Sequence, residues 1–67
     1  MTVARTTEIS STSTKGFEDA INEGLTRAAK TVRNMKGAWV KEQEVVIDND
    51  RVSEYKVHML VTFVLDN

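Results

Sequence analysis

A small α+β fold of order β-α-β-β, with a three-stranded antiparallel sheet and one amphipathic helix packed on one face, follows from three features of this 67-residue chain. The first is the segment Val52 to Asp66, which alternates as a strand yet carries apolar side chains on both faces. The second is an apolar stripe at helical spacing between Lys15 and Met35. The third is Asp48-Asn49-Asp50-Arg51, a run of turn-forming side chains between two β-rich segments. Two strands joined by a tight turn and one strand before the helix give a sheet that the helix covers once.

Each element has its own signal. Val3 to Ser10 is rich in β-branched residues and is read as a short first strand. Ser10 to Thr14 supplies hydroxyls suited to a turn and to capping the free N–H groups of a helix start. Glu18 and Asp19 then complement the positive end of the helix dipole. Phe17, Ile21, Leu25, Ala28, Val32 and Met35 recur at steps of three or four and form the buried stripe. Gly24 interrupts good helix formers at a cost of about 1 kcal/mol relative to Ala, which points to close packing at that position. Arg33, Lys36 and Gly37 read as the helix stop, and Ala38 to Ile47 as the second strand.

The last strand decides the level of organisation. Tyr55, Val57, Met59, Val61, Phe63 and Leu65 share one face, whereas Leu60 and Val64 share the other with Lys56, His58 and Thr62. One helix covers only one of these faces, so the other calls for a second copy of the chain. Size agrees. Residues 1–67 make a single domain, and chains this short are marginal without disulfides, metals or association. The chain has no Cys, which excludes disulfides, thiolate metal sites and a Cys nucleophile. With 9 basic and 10 acidic residues it has no global field that favours nucleic acid or membrane, and it has no apolar run of spanning length. A cytoplasmic protein is expected.

The whole pattern resembles the dodecin family. The likeness rests on the Ser/Thr-rich turn before the helix, on Arg27-Ala28 and Thr31-Val32, on Val40-Lys41-Glu42-Gln43, and on the run from Tyr55 to Phe63. It implies a hollow homododecamer of 23 symmetry built from β-α-β-β protomers, acting as a non-catalytic store for a small ligand or cation. In flavin-binding members a Trp opens the second strand and stacks on the flavin ring, and a Gln after the Tyr of the third strand bonds its polar edge. Those positions are Gly37 and Lys56 here, so flavin (riboflavin or FMN) is the weaker expectation. Trp39 lies two residues beyond Gly37, and in a regular strand it points to the same face. It serves either as an interface residue or as a displaced stacking residue. A branch of the family without the stacking Trp is associated with calcium, and the acidic position before the Gln of strand two meets metal. That position is Glu42, and Glu44 alternates onto the same face. Calcium takes about 6–8 oxygens, which symmetry-related carboxylates supply jointly.

Other chemistries have less support. Asp48, Asn49 and Asp50 lack the spacing of an EF-hand and read as a solvated turn. His58 is the only His, and no phosphate loop, paired-His motif or nucleophile elbow accompanies it, so no enzyme is expected. Arg27, Lys30, Arg33 and Lys36 form a basic flank without interleaved aromatics, the mark of a solvated helix face rather than a nucleic-acid surface. A structural shell with no ligand is the remaining alternative.

Overall fold

The computed structural model describes residues 3–65 and contains β1 (Ala4–Ser13), α1 (Phe17–Ala28), β2 (Met35–Asp48) and β3 (Arg51–Val64). The sheet order is β1-β3-β2 with both pairings antiparallel, so the two-sided strand is central. The β2–β3 hairpin is long and the body elongated, 51 × 19 × 13 Å. Asp66, expected at the end of the third strand, lies outside the described residues.

The hairpin turns on Asn49 and Asp50, whose φ angles of 58° and 62° are both left-handed. A two-residue loop with two positive φ values matches the twist of the flanking strands, and Asn and Asp tolerate that region better than most residues. Ser53 Oγ donates to the Val46 carbonyl at 3.1 Å, beside the register shift between Val46 and Ile47.

Two boundaries differ from the expected ones. The hydroxyl-rich segment is strand as far as Ser13, so the turn is confined to the residues just before α1. The helix N-cap is Gly16, and no side chain caps it. Ser13 acts one step earlier: its Oγ accepts from the Lys15 N–H at 2.9 Å and donates to Asp19 Oδ2 at 2.6 Å. The hydroxyl thus tethers the first helical turn through its carboxylate. At the other end α1 stops after Ala28, not near Met35. Thr31 N–H and Val32 N–H both converge on the Ala28 carbonyl, and Asn34 takes a left-handed φ of 61°. Asn34 also accepts from the Val64 N–H at 3.1 Å, which fastens the loop to the end of β3. Val32 and Met35 continue the helical spacing without belonging to the helix. Met35 opens β2 opposite Phe63, and Lys36 and Gly37 also lie within β2 rather than stopping a helix.

The core lies between α1 and the odd-numbered face of β3. Val57, Met59, Val61 and Ala20 are fully buried, with Ile9, Phe17, Ile21, Leu25 and Val40 packed around them. Phe17 meets Tyr55 edge to face at 5.1 Å. Full burial of a Val or Met contributes about 1.5–3 kcal/mol, and so few buried side chains make a thin core for a chain that must order its backbone. Outside that core, Trp39 is 64% exposed and Ile47 57% exposed, and Val45 and Val52 are also exposed. α1 lies over β1 and β3, so β2 is left as a long, largely bare edge strand.

Gly24 marks the closest approach of helix and sheet. A Cβ there would lie 2.9 Å from Ser11 Cβ and 3.1 Å from Met59 Cε. Because Ser11 Cβ is fixed to the β1 backbone, the strand itself would have to move. Gly24→Ala is therefore expected to lower the thermal midpoint: overpacking costs about 1–3 kcal/mol, against a helix-propensity gain of about 1 kcal/mol. A raised midpoint would show that α1 separates from β1 without penalty.

Candidate ligand-binding face

The face of the sheet turned away from α1 carries every candidate site residue identified in the sequence. Directly opposed residues of an antiparallel pair share a face, so the register places them. On β2, Gly37 opposes Thr62, Trp39 opposes Leu60, Glu42 opposes His58 and Glu44 opposes Lys56. On β1, Glu8 opposes Leu60, Ser10 opposes His58 and Thr12 opposes Lys56. Trp39 and Gly37 therefore share a face, as the even spacing requires, and so do Glu42 and Glu44.

Strict alternation along β2 would put Trp39 and Glu42 on opposite faces. A register shift between Val40 and Glu42 prevents this. Lys41 is the extra residue of a bulge, two residues of β2 facing one step of β3. The side chains of Trp39 and Glu42 thus stand over adjacent same-face positions of β3, Leu60 and His58. Those positions are about 6–7 Å apart along the strand. No periodicity in the sequence shows this, because a bulge leaves no compositional mark at Lys41.

The charges on this face are partitioned unevenly. Lys41 Nζ reaches across β3 to Glu8 Oε2 at 3.4 Å. Glu44 Oε1 lies 3.6 Å from His58 Nε2 and 3.9 Å from Lys56 Nζ. His58 Nδ1 is 2.8 Å from Ser10 Oγ, so the ring is held between β1 and β2. Glu42 is exposed and has no hydrogen-bond or ion-pair partner among the described residues. The two bulge neighbours, Lys41 and Glu42, do not neutralise each other because the lysine is drawn to the far strand. Among the described residues, no three His, Asp or Glu side chains converge closely enough to hold a metal ion. No described helix is long and apolar enough to cross a membrane.

A β-α-β-β unit with a thin core, a bare edge strand and an uncovered sheet face is a protomer built to associate with copies of itself. The comparisons agree. The sequence matches the family described as Dodecin over residues 3–66. It is 39% identical over 64 residues to the dodecin of Thermus thermophilus, covering 96% of this chain and 93% of that protein. A crystal structure of a Thermus thermophilus dodecin mutant superposes with a TM-score of 0.94 at 37% identity, covering 100% of this chain and 98% of the other. The dodecin from Streptomyces davaonensis gives a TM-score of 0.94 at 32% identity, covering 98% and 97%. The chain belongs to the dodecin family. Membership is consistent with the homo-oligomer that the fold calls for.

The Lys41–Glu8 pair tests how exposed this face is. Both side chains are about half exposed, 47% and 55%. Lys41→Met should therefore change unfolding stability by less than about 1 kcal/mol. A much larger loss in chemical denaturation would mean that assembly desolvates the pair.

Proposed function

We propose that this protein is the subunit of a non-catalytic ligand-binding and storage assembly in the cytoplasm, a homododecamer of 23 symmetry, and that its ligand is calcium or another cation held through Glu42. The unpaired Glu42 carboxylate on the uncovered face carries this reading. One protomer supplies far fewer than the about 6–8 oxygens calcium takes, so the site requires several copies around an axis. Glu44 is the second candidate ligand, but Lys56 and His58 already attend its carboxylate, so it contributes less than Glu42. A hard cation is supported by an all-oxygen donor set in a chain without Cys.

A second reading, flavin storage, is favoured by the exposure of Trp39 and by its sharing a face with Gly37. Lys56 argues against it: its ammonium only donates, and it lies beside Glu44 rather than free for a ligand. A shell without ligand is the third outcome of the same experiment. Native mass spectrometry of protein purified without chelator should give a twelve-subunit ion with metal adducts, lost in Glu42→Gln and reduced in Glu44→Gln. Adducts that persist in Glu42→Gln would overturn the assignment. Flavin-sized increments would favour the second reading, and a bare twelve-mer the third.

A further inference from the structure

We infer that Trp39 and Glu42 together form a subsite for a small organic cation, a quaternary ammonium or protonated amine. The inference rests on the uncovered face being a ligand-binding face, and it names a ligand class that neither metal nor flavin represents. An aromatic face attracts a cation through its quadrupole, with indole the strongest of the side chains, and a carboxylate beside it adds direct charge attraction.

The exposure of Trp39 and the register of β2 on β3 bring the two parts together. Trp39 is 64% exposed in the single protomer, so no side chain of its own subunit covers the ring. The bulge at Lys41 turns Glu42 onto the same face as Trp39, over the neighbouring β3 position. The spacing of about 6–7 Å between those positions suits a compact alkylammonium group seated between ring and carboxylate. The competing lysines are both occupied elsewhere, Lys41 by Glu8 and Lys56 by Glu44, so no protein cation fills the place. Charge on the face points the same way. Among the described residues Lys41 and Lys56 are each paired with a carboxylate there, whereas Glu42 and Glu54 have no cationic partner. A cationic ligand is favoured over an anionic one of the same shape.

Trp39 is the only Trp in the chain, so its fluorescence reports on this position alone. The assembled protein is titrated with choline and, separately, with 3,3-dimethylbutanol, which has the same shape without the charge. A saturable fluorescence change with choline, at least tenfold weaker with the neutral alcohol, is expected. Glu42→Gln should weaken choline binding about tenfold while the assembly mass stays the same. Calorimetry on Trp39→Leu, checked for unchanged assembly mass, should show a similar loss. Equal response to the two probes, no saturable response, or full choline affinity in Glu42→Gln would overturn the subsite. A calcium titration of Trp39→Leu separates the two proposals. Retained calcium binding with choline binding lost supports a distinct organic-cation subsite, whereas calcium binding in a wild-type protein that ignores choline removes this inference and leaves the metal reading standing.

Discussion

Every level of this structure depends on the central strand having two faces to satisfy and one helix to satisfy them with. β3 pairs with β1 on one side and β2 on the other, so its backbone is engaged on both edges, and Val57, Met59 and Val61 are buried beneath α1. The even-numbered side, with Lys56, His58, Leu60, Thr62 and Val64, remains half-buried without a covering layer. A hydrophobic layer of this size does not balance the ordering of so many residues with much to spare. The exposed apolar residues of β2 and the hairpin add to that deficit, since a long free edge strand is also a template for uncontrolled pairing. Association with identical copies answers both demands, and membership in the dodecin family is in keeping with it.

The legible parts of the fold were those governed by period. Alternation in Tyr55 to Leu65 separated the two faces of β3 without saying which meets the helix, and Val57, Met59 and Val61 of the first face are the residues found buried. The left-handed pair Asn49 and Asp50 was legible because those side chains favour such a turn. Gly24 was legible because a glycine among helix formers has a cost that only close packing offsets, and Ser11 stands against it. The helix end was not legible. Val32 and Met35 extend the three-to-four spacing by coincidence, and only Asn34 at positive φ marks the exit. The Ser/Thr cluster misled for a related reason: hydroxyls that suit a cap also suit an edge strand, and β1 uses them as strand.

At the candidate site the composition of the face was readable and its adjacency was not. Gly37, Trp39, Glu42, Glu44 and Lys56 were each identifiable from spacing and resemblance, and all lie on one side of the sheet. Which of them stand next to each other depends on the extra residue at Lys41, because one inserted position inverts every later side chain along β2. Ion pairing then depends on the third strand as well. Glu8 is far from Lys41 in sequence, and only the order β1-β3-β2 brings the two within 3.4 Å across Leu60.

That long-range pair has a consequence for the chemistry of the face. An isolated β2 segment reading Trp39-Val40-Lys41-Glu42 looks self-neutralised, a lysine beside a glutamate with an aromatic nearby. In the sheet the lysine crosses β3 to serve Glu8, while Glu44 draws Lys56 and approaches His58. The two lysines are thereby drawn to Glu8 and Glu44, and Glu42, one same-face position from the exposed ring, is left without a partner among the described residues. Surface pairs of this kind contribute little to stability, so their main effect here is on where charge remains available. The same bulge that breaks the ladder supplies both halves of that arrangement: it frees Lys41 to reach the far strand, and it turns Glu42 toward Trp39. A defect in strand pairing thus becomes the feature that concentrates unspent negative charge beside an open aromatic surface.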